Sequence, residues 1–446
     1  MSSTEYLRRI DQAHHLHPFT DHRDMFKAGT NVIQTGKGVF VFDQDGKPLL
    51  DGLAGLWCVN VGYDCPEIRD AVTTQLERLP YYCSFFNSTT EPAIELAAKL
   101  AELAPKRLNH TLFCNSGSES NESALKVIRN YFHLLGKPSK RKVIARNFAY
   151  HGVTIATTSL TGLPGCYLPF DLPLDGFLHA PAPHPYGYHS DLDREAFGKW
   201  CVEETAKLIE KEGADSIAAM FVEPIQGAGG VIVPPPSYLT AIRELCREKG
   251  ILFVADEVIT GFGRLGEWFA STLWDLDPDI MSTAKGLTSG YLPLGATLVS
   301  DEIAGTLING GYFAHGFTYS GHPVTTAAAL ANLAVIEKKR LIPYVKEDIG
   351  PYFQEKIRSL ASHHAVTETR GYGLIGAMEL IPRGGRAALE PTSALGAKAA
   401  GLIRKHGAIV RGIRDLIAVS PPLIITRVEI DQLFESIRRG LDELWG

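Results

Sequence analysis

Cysteine is sparse in this chain and forms no pattern. There are seven in 446 residues, at 58, 65, 83, 114, 166, 201 and 246, an odd number with no CxxC pair. That excludes a disulfide scaffold and fits a reducing cytoplasm. No apolar run approaches the roughly 20 residues of a membrane helix. The opening MSSTEYLRRIDQAHHLHPFT lacks the apolar core of a signal peptide. Basic residues make no stripe: 44 Lys and Arg stand against 50 Asp and Glu, a net charge of −6. Neither a nucleic-acid nor a membrane partner is expected, and the expected location is the cytoplasm. Internal repeats and low-complexity tracts are missing too; PAPHPYGYHSDLD (181–193) is the most loop-like stretch.

What is present is an ordinary globular balance, 45% hydrophobic and 21% charged. The length is ample for a large core in two or three structural domains. Residues 1–35 read as a polar arm, and GKGVFVFDQDGKPLLDGLAG (37–55) as a β-hairpin about its DG turn. From about 66, helices alternate with short apolar strands: 111–114, 141–145, 216–224, 251–256 and 279–285. Helix 236–249 is expected to bury Leu239, Ile242, Leu245 and Cys246. This alternation predicts an α/β fold with a largely parallel sheet. A long helix, 325–339, leaves the sheet for a smaller domain with strands such as 373–380, completed by the N-terminal hairpin. The expected divisions are 1–65 (arm and hairpin joining the small domain), 66–330 (large domain) and 331–446 (small domain).

Within this frame, ILFVADEV (251–258) ends a buried strand on two carboxylates, which are rarely buried without a partner. Lys285 directly follows another strand. That position points into the crevice where α/β sheets bind ligands, and desolvation there makes an amine nucleophile of the Schiff-base kind. A solvated loop lysine is the plain alternative. Ser116-Gly117-Ser118 lie between a strand and a helix, where free N–H groups and two hydroxyls suit a phosphate; simple N-capping is the commoner use. A pyridine ring with a protonated nitrogen would give Asp256 its cationic partner. Lysine, phosphate cradle and aspartate together mark a pyridoxal 5'-phosphate site. GFGRLG (261–266) matches a dinucleotide fingerprint, but the carboxylates 256 and 257 precede it where a pyrophosphate would sit. No metal is expected: in HHLH (14–17), His14 and His17 lack Cys, Asp or Glu partners in a compact ligand pattern.

The chain resembles the class III aminotransferases, fold-type I pyridoxal phosphate enzymes. It is most similar to the amine–pyruvate (ω-) transaminases, including the polyamine–pyruvate group. The motifs carrying this run from HPFT (17–20) to SPPLIIT (420–426): LAGLWCVNVGY (53–63), NSGSES (115–120), YHG (150–152), EPIQGAGG (223–230), ADEVITGFGR (255–264), AKGLTSGYLPLG (284–295) and HGFTYSGHP (315–323). The resemblance implies a large domain with a mostly parallel sheet between helices, and a smaller α+β domain built from both chain ends. It implies catalytic Lys285, Asp256 and Tyr150, with Lys285 carrying the cofactor and shuttling protons. Ser116, Gly117, Ser118, His151, Glu223 and Val258 join the cofactor set, with Tyr150 and Val258 on opposite ring faces. Phe317 and Thr318 would reach the phosphate of a neighbouring subunit. Trp57, Phe85, Phe86, Tyr150 and Ala228 would shape the amine pocket, and Arg411 would bind a substrate carboxylate from a mobile loop. A homodimer with shared sites is implied, or a tetramer.

Two departures stand out. Ser-Asn-Glu (120–122) replaces the usual Ala-Asn-Asp or Ala-Asn-Glu, a harmless change. Arg414-Asp415 stands where relatives usually carry Gly-Asp, so Arg414 would either compete for carboxylates or pair with Asp415. The implied reaction moves the amino group of an amine, diamine or ω-amino acid to pyruvate, giving an aldehyde or ketone and alanine. The rivals are an ω-amino acid aminotransferase using 2-oxoglutarate, decarboxylating or aminomutase chemistry, and a non-catalytic protein on the same fold.

Overall fold

The computed structural model describes residues 3–185, 191–381 and 394–444; part of the loop expected at 181–193 lies outside them. The central sheet has seven strands in the order His110–Cys114, Gly295–Val299, Ile280–Thr283, Leu252–Asp256, Ile217–Val222, Lys142–Arg146 and Phe177–Ala180. Six run parallel; Gly295–Val299, which the sequence pattern did not reveal, is antiparallel to both neighbours. Ile217–Val222 is buried at every position, as a strand covered by helices on both faces must be. The helix at 236–249 spans Tyr238–Glu248 and buries Tyr238, Leu239, Ile242 and Cys246, with Leu245 only half-buried.

The predicted hairpin forms between Phe40–Asp43 and Pro48–Asp51, with Gly46 left-handed at its turn. A further strand, Ile33–Lys37, precedes it, and the arm contains helices Ser3–His14 and His22–Ala28. Ala408–Ile409 pairs in parallel with Pro48–Asp51, so both chain ends share one sheet. A third sheet orders Val366–Tyr372, Ile375–Leu380, Leu416–Val419 and Arg411–Ile413, all antiparallel. Helix Pro323–Lys338 runs unbroken through residue 330 and packs on helices Pro66–Arg78 and Glu91–Leu103. All seven cysteines are unpaired thiols. Among the described residues no helix is long and apolar enough to cross a membrane.

Candidate active site

Parallel strands place their C-terminal ends along one edge, and ligands bind outside that edge. Here Asn115–Ser118, Tyr150–His151, Glu223 and Lys285 follow strands of the central sheet at that edge, and Asp256 ends one. Residues scattered from 115 to 285 are gathered by sheet order.

Asp256 is buried and held from three sides. Its Oδ2 accepts from Asn121 Nδ2 at 2.7 Å and faces His151 Nδ1 at 2.7 Å; among the described residues its Oδ1 accepts only the Val258 N–H, at 3.2 Å. A carboxylate oxygen takes about two donors, so Oδ1 keeps room for one more. His151, expected in the cofactor set, is thus a direct partner of Asp256. Asn121 was not anticipated. It also donates to the His151 carbonyl at 2.8 Å. The only sequence signal was a polar residue on the buried face of helix Gly117–Leu134.

Lys285 is half-buried, with a left-handed φ of 45°. Burial lowers its pKa, opposed by the charge of Asp256 and lowered further by Arg411. Glu223 is buried and accepts the Tyr150 N–H at 2.9 Å and the Gly227 N–H at 3.0 Å. Burial raises its pKa, and Asp256 adds to the shift.

Ser116 caps helix Gly117–Leu134, its Oγ accepting from Glu119 N–H at 3.1 Å, while Ser118 Oγ accepts from Val153 N–H at 3.2 Å. N-capping is therefore real, and it coexists with a cradle. Among the described residues the first-turn N–H groups of Gly117 and Ser118 have no acceptor, since no intrahelical carbonyl precedes them, and each hydroxyl can still donate. A Cβ on Gly117 would lie 3.0 Å from Val258 Cγ1, and one on Gly152 would lie 2.7 Å from Ser118 Oγ. The helix start therefore abuts the strand end carrying Asp256. A ring nitrogen proton, a carbonyl carbon and a phosphate each meet a suitable group along this edge, so the residues present fit pyridoxal phosphate.

The expected pocket residues separate into two groups. Trp57 is buried with Ile225, Val231, Ile259, Leu416 and Ala418, beneath the loop that carries Ala228. Phe85 lies instead against Gly316, and its ring is 5.9 Å from that of Phe86, which is 87% exposed. Tyr81 donates to the Thr318 carbonyl at 2.7 Å, and Phe317 N–H to Ser320 Oγ at 3.0 Å. Among the described residues no hydrogen bond or ring contact joins this second group to Lys285, Asp256 or Tyr150.

Arg411 is on a strand and not in a mobile loop: its backbone pairs with Ala418. Its charge is felt by Tyr150, Cys166 and Lys285. Among the described residues, Arg414 contacts a backbone carbonyl and an aromatic ring. Arg414 Nη2 donates to the Gly229 carbonyl at 2.8 Å, and the guanidinium lies 4.9 Å from the Phe148 ring centre. Asp415 accepts from Leu395 N–H at 3.3 Å.

Glu257 faces away from Asp256 and accepts from Thr260 Oγ1 and from the N–H groups of Ala270 and Ser271, opening the short helix Ala270–Leu273. Burial raises its pKa against these bonds. Glu257→Ala would strand those donors in the core. It should lower stability by about 1–3 kcal/mol for each donor left unsatisfied, seen as an earlier urea midpoint. The GFGRLG stretch is buried throughout and filled by Arg264, which donates to Asn60 Oδ1 at 2.8 Å and to the carbonyls of Leu374 and Pro421. No pyrophosphate fits there. The HHLH reasoning needs one correction: Asp11 does partner His17 (Nε2–Oδ1 2.8 Å) and His15 (3.1 Å), joined by Thr30 Oγ1. A turn of helix brings Asp11 to the histidines, which linear spacing hid.

A crevice of this kind suits chemistry at an amine-bearing carbon, and the fold around it is that of the fold-type I aminotransferases. The class III aminotransferase family model matches residues 25–441, and the chain belongs to that family; its cofactor is pyridoxal 5'-phosphate. The chain is 42% identical to a putrescine–pyruvate aminotransferase of Pseudomonas aeruginosa, over 99% of this chain and 97% of that protein. It superposes with a TM-score of 0.95 on an (S)-enantioselective ω-transaminase from Thermomicrobium roseum, 43% identical with both chains fully covered. A Pseudomonas jessenii ω-transaminase solved in complex with PMP is 40% identical, with a TM-score of 0.94 and 98% of each chain covered.

Proposed function

We propose that the protein transfers the amino group of an amine, diamine or ω-amino acid to pyruvate, forming alanine and an aldehyde or ketone. The carrying observation is the Lys285 amine, its pKa lowered by burial, on the same sheet edge as Asp256 and within electrostatic reach of Arg411. Similarity to the putrescine–pyruvate enzyme supports the choice of substrates. Bound pyridoxal phosphate supplies the electron sink for the carbanion at the amine carbon. Lys285 Nζ would hold the cofactor as its covalent anchor; once the substrate amine had displaced it, the freed neutral amine would take the proton from that carbon and deliver it again. Asp256 Oδ1 would accept the ring N–H, with His151 and Asn121 orienting the carboxylate. Ser116, Gly117 and Ser118 would hold the phosphate. Tyr150 and Val258 would enclose the ring, and Glu223 fixes the Tyr150 backbone. Trp57 and Ala228 bound the amine pocket.

Phe85, Phe86, Phe317 and Thr318 serve the site of a second copy, in a cytoplasmic homodimer. Exposed aromatics support this reading: Tyr319 is 58% exposed and its ring lies 5.8 Å from that of Tyr81, and Tyr312 is 90% and Phe86 87% exposed. Apolar surface of this kind marks an interface.

A donor panel against pyruvate, read as alanine formed, tests the activity; no alanine from any amine would refute it. Arg411 is expected to split the two half-reactions, because only pyruvate and alanine bring a carboxylate. Arg411→Ala should weaken both by about 2–5 kcal/mol and leave a simple monoamine nearly unchanged in stopped-flow measurements. Equal losses for alanine and the monoamine would remove Arg411 from that role.

A further inference from the structure

We propose that Arg414 is a positioning residue that fastens the Arg411 hairpin to the loop carrying Ala228, and so sets selectivity for carboxylate-bearing substrates. The inference rests on the function proposed above. Strands Arg411–Ile413 and Leu416–Val419 are joined by just Arg414 and Asp415. Arg414 has a φ of 50°, a left-handed conformation that side chains other than glycine adopt at a cost. A glycine would satisfy the turn without strain.

The side chain shows what offsets that strain. Its guanidinium donates to the Gly229 carbonyl at 2.8 Å and lies over Phe148, 4.9 Å from the ring centre. Phe148 is two residues before Tyr150, and Gly229 follows Ala228. Arg370, from strand Val366–Tyr372, holds the next carbonyl, Gly230, through Nε (2.9 Å) and Nη2 (2.7 Å). Two arginines of the smaller sheet therefore grip consecutive carbonyls of one loop. A Cβ on Gly230 would fall 2.6 Å from Leu416 Cδ2 and 3.2 Å from Arg370 Nη2, so the loop and hairpin are in close contact. Arg370 is further fixed by Glu379 at 2.8 Å. With its backbone paired to Ala418, Arg411 can reach a carboxylate or retreat only by side-chain rotation. Its reach is then set by where the hairpin stands over the loop, and Arg414 sets that relation.

Arg414→Gly tests this, with Arg414→Lys and Arg411→Ala beside it. KM and kcat are measured for pyruvate, alanine and a monoamine, together with thermal midpoints. In Arg414→Gly, KM for pyruvate and alanine should rise about tenfold, the worth of one charge-assisted hydrogen bond. The monoamine KM and the kcat values should stay within about twofold. The midpoint should barely move, since relief of the left-handed strain offsets the lost contacts. Lysine keeps a donor but not the planar stack, so it should restore part of the pyruvate affinity. Unchanged KM for pyruvate and alanine, a rise shared equally by the monoamine, or losses that follow a lowered midpoint would each overturn the proposal. Unaltered pyruvate affinity in Arg411→Ala would instead sink the underlying reading of the site.

Discussion

Lys285→Ala should reduce transamination by at least about 10⁴-fold while the protein remains folded. General acid–base catalysis alone accounts for about 10²–10⁴, and the variant also loses the covalent anchor. No intact network should collapse, because burial disfavours the charged amine at this position and alanine leaves nothing there to desolvate. The left-handed φ of 45° is met by alanine as by lysine. Alanine formation from pyruvate measures the loss. Borohydride reduction followed by peptide mass analysis should leave cofactor mass on the Lys285 peptide of the wild type and none on the variant. Near-native turnover in the variant would remove Lys285 from its role. The acid side of the pH–rate profile carries the same information. Burial lowers the Lys285 pKa below its ordinary 10.5, so the neutral base persists to lower pH and is lost as pH falls through the lowered value. The rate should therefore rise with pH along this limb.

Asp256→Asn is expected to cost about 3–5 kcal/mol in the barrier of the amine half-reaction, the range for breaking a buried ion pair, with a much smaller loss of stability. The hydrogen bonds explain the asymmetry. An amide can place its oxygen where Oδ2 stands and keep Asn121 and His151, each 2.7 Å from that atom. Its NH₂ then replaces Oδ1, the atom with room for one more donor, and meets a ring N–H donor to donor. Since the Asp256 charge raises the Lys285 pKa, its removal should also move the acid limb to lower pH. An unchanged stopped-flow rate constant would contradict both expectations.

Much of this was legible in the order of residues. A wholly apolar strand that stops at Asp256, a lysine after another strand, and Ser-Gly-Ser before a helix are signals contained within about ten residues. The α/β class follows from the same local periodicities, and so does the hairpin at 37–55. Glu257 shows where that reading ends. It adjoins Asp256 in the chain, yet its partners are Ala270 and Ser271, at a helix start the sequence did not mark. GFGRLG looks like a nucleotide loop until Arg264 is found buried among Asn60, Leu374 and Pro421.

By itself, then, the sequence determined most of the large-domain elements and which side chains end the strands at 256 and 283, because burial period, capping and turn chemistry act between near neighbours. Only the tertiary structure decided which of those ends meet. The reversed strand Gly295–Val299, the grip of His151 and Asn121 on Asp256, the separation of Trp57 from Phe85, and the tie from Arg414 to Gly229 all join segments distant in the chain. Strand order and buried-donor satisfaction are properties of the closed chain, and no short window contains them.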